Sequence, residues 1–244
     1  MKPGVNGKIL LVVDTDGRKD VERRTFSFMF EHQVEGIIYS KWVHGSITPP
    51  DELGRMPSVL VNCYDECGRF PAVVPDEVQG GATATRLLLE AGHRRIAFVN
   101  DAAPSPASVG RLAGYKAALA RFDVDFDPSL VLSVTADQEG GYGAAAQVLA
   151  TGATGVFCHN DRTALGLYDA LRESGKRMPD DISVVGFDNQ EVISAHMHPA
   201  LTTVGLPQYD LGVMGVRTLL RRCGADNDES EIVSERFKPV HVQC

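Results

Sequence analysis

Residues Met178 to Asn189 read M-P-D-D-I-S-V-V-G-F-D-N, and Pro199 to Val204 follow as P-A-L-T-T-V. An apolar run that stops at Gly186-Phe187-Asp188 is how a buried parallel strand carries an acidic side chain to the carboxyl edge of a sheet, where open α/β folds bind ligands. Asp188 is on that ground the first candidate for a ligand contact.

Outward from this strand, the segments Ile9–Asp14, Gly36–Ser40, Ser58–Asn62, Ala72–Pro75, Arg95–Asn100, Leu130–Val134, Gly155–His159, Ile182–Phe187 and Leu201–Val204 read as strands. Helical patterns lie between them: Val78–Ala91 before Gly92, Arg111–Arg121 with Leu112, Tyr115 and Leu119 on one stripe, Gly141–Leu149, Arg162–Ser174 before Gly175, and Tyr209–Arg222. Alternation of this kind predicts an α/β fold with parallel sheets. Proline and glycine cluster over Asn100–Ser108 and Gly205–Gln208, where the chain is expected to cross between two α/β lobes and back, leaving a cleft. Gly224–Glu231 reads as a polar loop.

A chain of 244 residues, 43% hydrophobic and 23% charged, can bury a substantial core as one large or two small units. A net charge of -8 and a pI near 5.4 argue against a nucleic-acid-binding surface on the chain itself, because duplex affinity comes largely from Lys and Arg neutralising phosphates. No apolar stretch approaches the ~20 residues that span a bilayer. The start Met1-Lys2-Pro3-Gly4 lacks the apolar core of a signal peptide, so the expectation is a cytoplasmic protein with no membrane partner. The five cysteines, Cys63, Cys67, Cys158, Cys223 and Cys244, show no repeated spacing and read as reduced thiols.

Five blocks, Gly92–Val99 (GHRRIAFV), Arg111–Tyr115 (RLAGY), Asn160–Gly166 (NDRTALG), Pro179–Asp188 and Pro199–Val204, together resemble the effector-binding core of the LacI/GalR family of transcriptional regulators. The resemblance implies two Rossmann-like parallel-sheet lobes of the periplasmic-binding-protein-like type I, joined by three crossovers, with a small effector in the cleft. It places the lobes at 1–101 with 207–236 and at 102–206 with 237–244. It also implies a homodimer, and operator DNA bound through an N-terminal helix-turn-helix that this chain does not contain. The family core opens with a strand and a long helix before the segment resembling Gly7–Asp14, so the N-terminal lobe is expected to lack its first strand and helix. Unpaired rows of backbone groups cost ~1 to 3 kcal/mol per group if buried alone. A fragment of a longer regulator, with that lobe rearranged or paired with another chain, is therefore expected.

By the same resemblance the family's cleft arginine, loop asparagine and acidic residue correspond to Arg111, Asn160 and Asp188. Together they suit a polyol: a carboxylate accepts from adjacent hydroxyls, a guanidinium donates a planar fork, and an amide does either. A sugar-like or nucleoside-like effector is implied. Each has an ordinary alternative: a turn aspartate, a helix-surface arginine in an ion pair, and an N-cap asparagine. Of the pair Asn160-Asp161, the cap is assigned to Asp161 and the cleft to Asn160. Phe157 is a candidate stacking face or a core phenylalanine. Ser40 and the lone Trp42 fall where the family's N-terminal lobe faces the cleft, and Gln79 is a further candidate at a helix start.

Other chemistry is set aside. Gly141-Tyr142-Gly143-Ala144-Ala145-Ala146 matches a dinucleotide fingerprint, but Thr135–Glu139 separate it from the preceding strand. Helix–sheet packing accounts for its small residues. His196-x-His198 and Cys63-x-x-x-Cys67 are weak metal hints without further ligands at fitting spacing, and no Gly-x-Ser-x-Gly elbow marks a nucleophile. No cofactor, no metal and no enzymatic activity are expected. The alternatives are a periplasmic-type sugar-binding protein of the same fold, which a signal peptide would mark, and a Rossmann-type enzyme or nucleoside hydrolase, which turnover would mark.

Overall fold

The computed structural model describes residues 8–224 and the backbone of 235–237 and 240–242. The polar loop expected beyond Gly224, and Cys244, lie outside the described residues. In chain order the elements are α1 (Lys19–Glu31), β1 (Ile37–Ile47), β2 (Ser58–Asp65), β3 (Ala72–Pro75), α2 (Glu77–Glu90), β4 (Ile96–Asp101), α3 (Pro106–Arg121), β5 (Val131–Val134), α4 (Gln138–Thr151), β6 (Gly155–Cys158), α5 (Asp161–Glu173), β7 (Ser183–Asp188), α6 (Glu191–Ser194), β8 (Thr202–Gly205), α7 (Gln208–Gly224), β9 (Glu235–Phe237) and β10 (Val240–Val242).

Two sheets define two lobes. The N-lobe sheet runs β1-β2-β3-β9, all parallel, and the C-lobe sheet runs β10-β8-β7-β6-β4-β5, parallel except for the antiparallel edge β10. The continuous apolar runs of β4, β6 and β7 are explained by burial on both faces. One face packs under α4 and α5 through Val99, Val156, Leu167 and Leu171. The other packs under α2 and α3 through Phe98, Phe157, Phe187, Leu88 and Tyr115.

The lobe boundary differs from the expected one. Strand β4 and helix α2 belong to the C-lobe, so the first crossing falls after Pro75 and not after residue 101. The proline cluster that suggested a crossing instead starts α3: Ser105 caps it in a reciprocal capping box with Ser108, and Pro106 stands at the first helical position. After β8 the chain leaves the six-stranded sheet, and α7 packs on β2 and β3. The backbone returns from β9 in one sheet to β10 in the other, so residue 237 ends the N-lobe strand.

Ile9–Asp14 is not a strand, although its composition fits one. Its apolar side chains stand in solvent, Ile9 at 77% and Val12 at 80% exposure, and among the described residues none of its backbone groups has a hydrogen-bonded partner. A strand exists only through a neighbour, and β1, the described edge of the N-lobe sheet, pairs on one side with β2 alone.

Candidate functional site

Three adjacent C-lobe strands deliver polar residues at their carboxyl ends: Asn100 on β4, His159 just past β6 and Asp188 on β7. Helices α2 and α3 bring Glu77 and Arg111 to the same edge. They approach this closely because a Cβ on Gly81 would lie 2.2 Å from the Arg111 carbonyl oxygen, and one on Gly114 would lie 2.1 Å from that of Val78. Glycine is thus required where the two backbones touch.

Arg111 is the hub of the site. Its Nε donates to Glu77 Oε2 at 2.8 Å, Nη1 donates to the His159 carbonyl at 2.5 Å, and Nη2 stands 3.7 Å from Asp188 Oδ1. Its guanidinium lies over the Phe187 ring, 3.6 Å from the centroid. The Arg111 side chain is 4% exposed and that of Asp188 17%, so Asp188 is the open end of the network. Burial raises the Asp188 carboxyl above its usual range, against the pull of Arg111 and the Gln190 amide. Burial also acts upward on Glu77, but Arg111 and His44 outweigh it and its carboxyl is held low.

Asp188 (φ 100°) and Asn189 (φ 54°) both occupy positive-φ backbone conformations, costly for residues other than glycine and common where a loop is held for function. What holds this loop is Asp161. Its carboxylate accepts from the Gln190 backbone N–H and from Thr203 Oγ1, each at 2.6 Å, with Thr203 on the neighbouring strand β8. Burial pushes the Asp161 carboxyl up to about 7, against those two hydrogen bonds. His159 donates from Nδ1 to Asn100 Oδ1 at 3.0 Å, and burial together with the Arg111 charge pushes its imidazole down to about 3.

Arg111 and Asp188 are thus brought together as the sequence suggested. Asn160, not Asp161, caps α5: its Oδ1 accepts from Thr163 N at 2.8 Å and from Thr163 Oγ1 at 3.0 Å, while its amide donates to the Ala136 carbonyl. The assignment within that pair is reversed, because Asp161 turns inward to the β7–β8 edge. Phe157 has no exposed face and stacks on Phe98 with centroids 4.4 Å apart, so it is a core residue. Gln79 lies in the first turn of α2, where Asp76 caps its amide and its side chain reaches Thr83. Ser40 and Trp42 stand exposed on β1, Trp42 at 93%. The β1 side chain that reaches the site is His44. The fingerprint-like Gly141 packs against the Thr163 carbonyl where α4 meets α5, while Ala144 and Ala145 of the same string pack with Val99 and Leu132 of the sheet, as expected.

Glu77, His159, Asn100 and Asp161 were not singled out as ligand-site residues. A signal existed for two of them: Asn100 and His159 end apolar strands as Asp188 does. Glu77 and Asp161 look like ordinary helix-start acids, and nothing local marks His44.

Fold and site together define a two-lobed periplasmic-binding-protein-like protein with a charged cluster at the strand ends of one lobe. The family model for the periplasmic binding protein-like domain matches residues 85–241. The HTH-type transcriptional repressor PurR of Vibrio atlanticus is 31% identical over 96% of this chain and 71% of its own length. A LacI-family transcriptional regulator from Rhizobium etli superposes with a TM-score of 0.84 at 28% identity, covering 98% of this chain and 87% of that one. A LacI-family regulator from Enterococcus faecium, solved with bound ribose, superposes with a TM-score of 0.73 at 29% identity, covering 91% of this chain and 83% of that one. The chain belongs to the LacI family of transcriptional regulators and comprises its effector-binding core.

Proposed function

We propose that this core senses a small sugar-like or nucleoside-like effector between its lobes, with Asp188 accepting from adjacent hydroxyls and Arg111 donating to a ring or hydroxyl oxygen. The carrying observation is the Arg111–Asp188 pair at 3.7 Å, its acid partly open and at the carboxyl edge of the sheet. Ribose in the Enterococcus faecium regulator supports the sugar class. Ser40 and Trp42 are the N-lobe candidates for closing over the ligand, and Asn160 shapes the C-lobe wall through the cap of α5. Operator DNA would be engaged by a helix-turn-helix outside these residues, which agrees with the charge of -8. A homodimer, a cytoplasmic location and the absence of catalysis go with this reading.

A thermal-shift screen of ribose, other sugars, sugar phosphates, polyols and purines tests it, because a ligand that binds only the folded state stabilises it by ~2.7 kcal/mol at a hundredfold excess over Kd. With the hit in hand, Asp188→Asn, which removes the charge but keeps a residue that tolerates positive φ, is expected to weaken binding sharply while leaving the ligand-free Tm nearly unchanged. Unaltered affinity would remove Asp188 from the site.

A further inference from the structure

We propose that Glu77 is a latch joining the effector arginine to the opposite lobe, with His44 as its N-lobe partner. The coupling it provides rests on Arg111 and Asp188 being the effector contacts. Glu77, 5% exposed, divides its carboxylate between the lobes: Oε2 accepts from Arg111 Nε at 2.8 Å and Oε1 from His44 Nδ1 at 3.1 Å. Each oxygen thus answers to a different sheet. A Cβ on Gly110 would lie 2.6 Å from Glu77 Cβ, so α3 hems in the Glu77 stem and leaves the acid little room to follow one partner away from the other.

His44 reaches Glu77 because β1 is irregular there. The pairing of β1 with β2 slips between Ser40 and Gly45, and Asn62 on β2 fixes the bulge by donating from Nδ2 to the carbonyls of Lys41 and Trp42, at 3.0 and 3.2 Å. Bulges re-aim side chains, and this one leaves Trp42 in solvent while the His44 ring, 9% exposed, turns in beside Tyr64. Asn62 itself has φ 57°. The chain therefore runs from Asp188 through Arg111 and Glu77 to His44 and the β1 bulge. A ligand that draws Arg111 toward itself changes what Glu77 offers His44, and so changes lobe orientation. Two lobes biased by one shared carboxylate make up the physical element that coupling between distant sites requires.

The test needs no ligand. Spin labels are placed on exposed Cys67 of the N-lobe and on A117C of α3, in a background carrying C223S and C244S, and interlobe distances are read by double electron–electron resonance. H44A and N62G are expected to broaden or shift the distribution, the first by removing the ring and the second by releasing the bulge while keeping a residue that tolerates positive φ. H44Q, whose amide can donate to Glu77, is expected to keep the parent distribution. A parent-like distribution in both H44A and N62G, or an H44Q distribution as broad as that of H44A, would overturn the latch. Because these distances are taken in ligand-free protein, failure of the effector reading registers in the binding screen and failure of the latch registers here.

Discussion

Two buried groups of opposite habit set how stability depends on pH. Asp161, raised to about 7, favours its protonated form in the fold, so its contribution grows as pH falls from 7 toward its unfolded value near 4. His159, lowered to about 3, favours its neutral form, so its contribution is complete above about 6.5 and is lost as pH falls toward 3. Each tenfold change in proton affinity between the folded and unfolded chain corresponds to ~1.4 kcal/mol, and the two slopes oppose each other between about pH 4 and 6.5. Tm measured against pH should therefore separate them. Relative to the parent, Asp161→Asn should lose stability as pH falls from about 7 to 4, and His159→Gln should gain it as pH falls from about 6.5 to 3. Parallel curves for both variants would refute the assignment. Arg111 and Asp188 are legible in the sequence because their motifs are local strings. Glu77 and His44 are not, because their roles come from contacts 34 and 33 residues apart in the chain.

The pairing of α2 with α3 is what lets Glu77 meet Arg111, and it depends on glycine at the contact. Gly114→Ala would drive a methyl into the backbone of α2, 2.1 Å from the Val78 carbonyl oxygen, and overpacking of that kind costs ~1 to 3 kcal/mol. The gain of ~1 kcal/mol in helix propensity offsets only part of it. Gly143 in α4 is the matched control, helical but with nothing within 4 Å of an added Cβ, so Gly143→Ala should leave Tm unchanged or raise it slightly. Differential scanning calorimetry should give a Tm several degrees lower for Gly114→Ala, and equal effects at both sites would contradict the close approach. Five helices and eight strands are legible from periodicity, most within a few residues at their ends. No such pattern marks α1, the four-residue α6 or the three-residue β9 and β10, and only the first part of β1 is legible, since a bulge and an edge position weaken the alternation on which a strand reading depends.

Across the whole molecule, the lobes differ in how completely their backbones are paired. Amide exchange should be slow for Ile96–Val99, which lie inside the six-stranded sheet with 0% exposure. It should be fast for Leu10–Val13, whose exposed groups have no partner among the described residues. Slow exchange at Leu10–Val13 that appears only at high protein concentration would instead mean that another copy supplies a strand.

The amino-acid sequence by itself determined the alternation of elements, the parallel α/β class and the delivery of Asp188 to a sheet edge, because each follows from patterns that span a few turns or one strand. Tertiary structure alone decided where the lobes divide. Pro104 and Pro106 look like a crossing, yet they start a helix, and which sheet a strand joins depends on pairing across the fold. It also decided that Phe157 is core, that Asn160 and not Asp161 caps α5, and that one carboxylate, Glu77, is held by Arg111 on one side and His44 on the other. Burial and partnership belong to the folded chain, and no local pattern encodes them.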